Sequence, residues 1–160
     1  MNATGPSMPP TERELTITRV FDAPRARVFA AWTDAAQLAQ WWGPKGFTNP
    51  ICEFEARIGG RINIHMRAPD GTVYPMEGEI RELAPPERLA FANIAVDEAG
   101  RHLLEGFTTV TFTEENGKTR MTLQTRARAV VADAAAHLQG MEVGWTMSIE
   151  RLEALLGRAR

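Results

Sequence analysis

The sequence predicts an α+β fold in two layers. A curved antiparallel sheet of about seven strands wraps around a long C-terminal helix, with two short helices after the first strand. Three observations predict it. Apolar or small residues recur at three- and four-residue steps near the C-terminus, through Leu138, Met141, Gly144, Trp145, Ser148, Ile149, Leu152 and Leu156, which is one face of a helix. The middle of the chain reads as strands divided by turn chemistries: Gly59-Gly60, Pro69-Asp70-Gly71, Pro85-Pro86, Glu98-Ala99-Gly100 and Glu115-Asn116-Gly117. These connections are short, so neighbouring strands pair antiparallel. A bent sheet under one amphipathic helix leaves a cavity between the layers.

The elements follow in order. Residues 1–12 are rich in Pro, Ser, Gly and Asn; they bury too little apolar surface to offset ordering entropy and read as a flexible tail. A single domain is expected over 13–157. Its first strand spans 14–21, where Leu15 and Ile17 alternate with Thr16 and Thr18. Asp22 suits a helix cap and Pro24 a first turn. Val28, Phe29, Ala31 and Trp32 supply that helix's buried face. Asp34 recaps a second short helix through Leu38 to Trp41, which Gly43-Pro44-Lys45-Gly46 ends. Strands are expected over 50–56, 61–67, 73–83, 88–96, 103–113 and 119–128. The last helix opens at Asp133 as N-cap and runs to about residue 156. Glu150, Arg151 and Glu153 fall off its apolar face. Gly140 and Gly144 each cost a helix about 1 kcal/mol against Ala, so the pair implies a close approach or a bend over a cavity.

Bulk properties narrow the function. A chain of 160 residues with 44% hydrophobic content makes one core without a metal or disulfide staple. Its net charge is −2 with acids and arginines interleaved. No basic stripe exists to neutralise phosphates, so nucleic acid is not an expected partner. The single cysteine, Cys52, fits a reducing compartment. No signal-peptide pattern and no apolar run of about 18 residues appear. The expectation is a cytoplasmic protein without a membrane span.

The motifs together resemble a known family. Val20-Phe21-Asp22-Ala23-Pro24 leads into Val28-Phe29-Ala30-Ala31-Trp32-Thr33, then Trp41-Trp42-Gly43-Pro44. Gly59-Gly60, Pro69-Asp70-Gly71, Pro85-Pro86-Glu87-Arg88-Leu89 and Gly140-Met141-Glu142-Val143-Gly144-Trp145 follow in the same order, with Leu152 beyond. In this order over residues 14–156 they resemble the START-like helix-grip (SRPBCC) superfamily. The branch is that of the C-terminal domain of the activator of heat-shock-protein-90 ATPase. The resemblance implies a helix-grip fold with a cavity for an apolar molecule. Glu55 stands where many members carry Asp before the Gly-Gly turn. The full-length activator's separate N-terminal domain has no room in 160 residues, so co-chaperone activity is not among the implications.

The candidate lining comes from parity and composition. Trp41 and Trp42 project about 100° apart on a helix, so one seals the core and the other faces the cavity mouth. Ile62, Ile64 and Met66 share one strand face, as do Tyr74, Met76, Gly78 and Ile80. Phe91, Val110, Phe112, Met121 and Leu123 continue the inner surface. The expected ligand-binding set is Trp41, Trp42, Phe47, Met66, Tyr74, Met76, Phe91, Glu105, Phe107, Met141 and Trp145. Tyr74 and Glu105 are its polar members. Cys52, between apolar neighbours, reads as a buried inert thiol. His65, His102 and His137 are scattered without metal-ligand spacing. No nucleophile elbow, phosphate loop or dinucleotide fingerprint is present, so no cofactor is expected. Three functions stay open: a binder of a small apolar or amphipathic molecule; an enzyme of the cyclase or hydratase kind that the family resemblance implies, using Tyr74 or Glu105; and an interaction module. The last is a chaperone partner or a homodimer.

Overall fold

The computed structural model describes residues 11–158, so most of the expected 1–12 tail lies outside the described residues. The first strand, β1 (Glu12–Phe21), opens two residues earlier than expected. Glu12 already pairs with Arg128 across the strand boundary. The chain continues through α1 (Arg25–Thr33), α2 (Ala35–Trp41), β2 (Thr48–Phe54), β3 (Arg61–Arg67) and β4 (Val73–Ala84). Then come β5 (Arg88–Val96), β6 (His102–Glu115) and β7 (Lys118–Ala129). A 3₁₀ turn (Ala132–Ala134), α3 (Ala135–Gln139) and α4 (Met141–Arg158) complete it.

The seven strands form one sheet in the order β1-β7-β6-β5-β4-β3-β2. Every neighbouring pair is antiparallel. β2 to β7 form a meander whose neighbours are joined by short turns. At the β6–β7 hairpin Asn116 and Gly117 both take positive φ, 54° and 82°, which Asn and Gly accept most cheaply. β1 closes against β7, so α1 and α2 carry the chain from one sheet edge to the other. Register shifts at Thr48/Ile51, Ile80/Glu82 and Ala95/Val96 break the ladder; such bulges bend strands and curl the sheet.

The capping residue of helix α1 is Pro24, whose carbonyl accepts from Arg27 and Val28 N–H. Pro fixes its own φ near the observed −68°, so ring geometry helps to set the turn. Asp34 does cap α2, accepting from the Ala36 amide at 3.2 Å.

The expected unbroken C-terminal helix is two helices. Gly140 ends α3, and α4 restarts at Met141. Gly140 takes φ −90° and ψ 0° there, and glycine's cost inside a helix favours a break at this position. The two ends of α4 then differ. Ile149, Leu152 and Leu156 are buried among Trp32, Leu38, Trp41, Val28 and Phe29. Met141, Gly144 and Trp145 are only half-buried.

Cys52 packs against the core from β2. Burial pushes its thiol from 9.0 up to about 11. Its unfolded counterpart ionises sooner as pH rises, so this term favours the fold below about pH 9 and fades toward about 11. Native protein is expected to react with a disulfide reagent at pH 8 much more slowly than urea-unfolded protein. Equal rates would show an accessible thiolate.

Candidate functional site

A cavity of about 280 Å³ lies between the sheet and the N-terminal half of α4. Trp42, Gly43 and Pro44 wall it from the α2–β2 loop. Met66 of β3 and Tyr74, Pro75 and Met76 of β4 form one side. Asn93, Ala95, Leu104, Gly106, Thr125 and Ala127 make the sheet floor. His137, Gly140, Met141, Gly144, Trp145 and Ser148 roof it. A Cβ at either roof glycine would make only ordinary contacts, with His137 O at 4.0 Å from Gly140 and with Pro44 at 3.9 Å from Gly144.

The wall loop is pinned to α4 by polar groups. Arg151 Nη1 donates to the carbonyls of Trp42, Gly43 and Pro44 at 3.0, 2.9 and 3.1 Å. Its Nη2 donates to Gln40 O at 3.0 Å. These are carbonyls at and beyond the end of α2, which have no helical partner and attract a cation. Burial lowers the guanidinium pKa, yet its ordinary value is so high that it stays charged. Ser148 Oγ accepts from the Gly43 amide at 3.0 Å and donates to Gly144 O. Gly43 itself has φ 96°, and a Cβ there would lie 2.9 Å from Met66 Sδ. The positive φ favours glycine here, and a Cβ would push the flexible Met66 side chain aside.

Aromatic rings tie the cavity wall to the core. Trp42 and Trp145 meet edge to face at 5.3 Å. Trp145 stacks on Trp32 at 6.2 Å. Trp32 in turn meets Trp41 at 4.7 Å. Such contacts add to area burial and fix ring orientation.

The sheet floor carries a polar chain. Thr108 Oγ1 donates to Asn93 Oδ1 at 2.9 Å, and Thr125 Oγ1 lies 2.8 Å from Thr108 Oγ1. Thr108 and Thr125 are buried and directly paired across β6 and β7. Sequence reasoning missed this group. The signal was present: Thr108 shares parity with Val110 and Phe112, and Thr125 with Met121 and Leu123.

Of the eleven expected lining residues, the structure brings six together at the cavity: Trp42, Met66, Tyr74, Met76, Met141 and Trp145. The other five lie elsewhere. Trp41 is fully buried, and its indole N–H donates to Ala31 O at 2.9 Å, so it seals the core. Phe91 is buried under Trp32 and Trp42. Phe47 meets Tyr74 at 6.1 Å without lining the space. Glu105 and Phe107 take the opposite parity from Leu104, Gly106 and Thr108 on β6. They border a groove on the outer sheet face with Glu12, Arg126 and Arg128. Hydrogen bonds from His102 and Arg128 hold the Glu105 carboxyl below its usual range. His137 is exposed and stands at the cavity rim. Glu55 accepts from the Arg61 amide at 2.8 Å, bracing the Gly59-Gly60 turn.

The comparisons agree with this architecture. Residues 22–157 match the family described as Activator of Hsp90 ATPase homolog 1-like protein. A crystal structure from Mycobacterium smegmatis is 31% identical, covering 89% of this chain and 90% of that one, with TM-score 0.74. A solution structure from Arthrobacter aurescens is 30% identical over 91% of this chain and 86% of that one, with TM-score 0.77. A crystal structure from Chromobacterium violaceum is 27% identical over 89% and 96%, with TM-score 0.79. No curated protein matches the chain.

Proposed function

The chain belongs to the Activator of Hsp90 ATPase homolog 1-like family, and from that premise we propose that it binds a small apolar or amphipathic molecule between the sheet and α4. One observation carries the reading: a cavity of about 280 Å³ whose walls are mostly Trp, Met, Ala and Gly surfaces from both layers. Burial supplies the affinity, at about 25 cal/mol per Å² of apolar surface removed from water. The methionines Met66, Met76 and Met141 adapt to irregular ligand shapes. Cavities of drug-sized ligands start at about 300 Å³, so the occupant is compact, of about one or two rings.

The cyclase-like alternative needs an acid or a tyrosine inside the cavity. Glu105, the acid considered for it, is ion-paired on the outer face. Tyr74 is 40% exposed at the mouth. Binding without an acid at the centre is therefore the better-supported function. Residence in the cytoplasm belongs to the same proposal and rests on the lone, half-buried Cys52.

The test is saturable binding of a fluorescent naphthalene-type probe. One site per chain is expected, with affinity reduced at least about tenfold in Trp145→Ala, because that change removes most of the aromatic roof. Failure to bind across a broad panel of lipids and aromatic metabolites would sink the proposal.

A further inference from the structure

The polar chain on the cavity floor has a direction. The Thr108 hydroxyl has one proton, and it goes to Asn93 Oδ1 at 2.9 Å. In the 2.8 Å pair of hydroxyls Thr125 must therefore donate to Thr108. Both hydroxyl protons and the Asn93 carbonyl are then occupied. The Asn93 amide nitrogen keeps two protons with no hydrogen-bond partner among the described residues, and Asn93 lines the cavity.

The residue opposite Asn93 on β6 is Gly106. A Cβ there would lie 3.0 Å from Asn93 Nδ2 and 2.8 Å from Arg126 O. A glycine at this position leaves the amide its room. No Lys, Arg, Asp or Glu is among the cavity's lining residues. An ammonium or a carboxylate entering it would lose water and find no fixed counter-charge within, the one lining imidazole, His137, being exposed at the rim. Trp42 and Trp145, at 80° to each other, form a corner that offers a flat ring one face and one edge.

We propose that the cavity selects an uncharged, flat aromatic molecule bearing a carbonyl, which accepts a hydrogen bond from the Asn93 side-chain amide. This rests on the ligand-binding reading above and adds the chemistry of the ligand. A ketone, aldehyde or ester carbonyl meets the free donor. A hydrocarbon leaves that donor unmatched, and a carboxylate brings a charge the walls do not balance.

The test compares three matched probes by equilibrium dialysis: 2-acetylnaphthalene, 2-ethylnaphthalene and 2-naphthoate. The ketone is expected to bind about tenfold more tightly than the hydrocarbon. The naphthoate is expected to bind at least about a hundredfold more weakly than the ketone. Asn93→Leu should erase the ketone's advantage, because it removes both the bond that holds the ketone and the unmatched donor that disfavours ethylnaphthalene. Should that variant not fold, the wild type still answers. The infrared carbonyl stretch of bound, ¹³C-labelled acetylnaphthalene should shift to lower frequency than in hexane. Equal affinities for ketone and hydrocarbon, or an unshifted stretch, would overturn the carbonyl assignment and leave the cavity as a general apolar site. Binding of none of the three would take down this inference and the ligand-binding reading together.

Discussion

Trp32→Ala is expected to remove about 4 kcal/mol of stability. Trp32 is fully buried and makes ring contacts with Trp41, Phe91 and Trp145. Truncation loses the transfer energy of the indole and leaves a void that neighbours on α1, α2 and α4 cannot all collapse into. For a domain of this size that corresponds to a fall of about 8–16 °C in Tm. Trp32→Phe separates packing from polarity. The indole Nε1 of Trp32 is buried with no hydrogen-bond partner among the described residues, and leaving such a donor unmatched costs about 1–3 kcal/mol. Phe loses ring volume but also removes that penalty, so its net cost should stay below about 1.5 kcal/mol. Urea denaturation monitored by far-ultraviolet circular dichroism measures both. A loss under about 1 kcal/mol for the alanine variant would show that the tryptophan cluster does not anchor the core.

Arg151→Met is expected to cost about 2–3 kcal/mol. It removes donors from four carbonyls, those of Gln40, Trp42, Gly43 and Pro44, and water reaches only part of that site. Met keeps much of the aliphatic stem, so the loss reports the guanidinium. Arg151→Lys should recover less than half, because one ammonium cannot reproduce a planar fork reaching four acceptors. The effect should also be local. Hydrogen exchange across residues 40–47 should speed up more than in β6 or β7. Since Trp42, Gly43 and Pro44 wall the cavity, probe affinity should fall with it. Uniform acceleration over the whole chain would mean that Arg151 contributes only to global stability.

The loop that Arg151 holds and the helix half above it define the candidate site, and the two were not equally legible. Met141, Gly144 and Trp145 were readable from helical spacing, and Gly140 with Gly144 already pointed to a bend over a cavity. Trp42 was readable only as one of a pair, because angular spacing separates adjacent side chains without saying which faces inward. Glu105 and Phe107 were misplaced although the alternation Gly106, Thr108, Val110, Phe112 contained the answer. Arg151 was legible only as a residue off the apolar face. That its fork closes on carbonyls more than a hundred positions earlier could not be read from its neighbours.

By itself the sequence determined the order of the elements, the faces of the strands and the apolar stripe of the last helix. These follow from periodicities of two and about 3.6 residues, which each segment carries within itself. Only the tertiary structure decided that α4 packs solidly at Ile149 to Leu156 and stands off the sheet at Met141 to Trp145. Only it joined Asn93, Thr108 and Thr125 from three strands into one polar chain. Those outcomes depend on strand register, bulges and a helix break, which set distances between segments far apart in the chain. Local pattern fixes which way a side chain points, and long-range geometry fixes what it meets there.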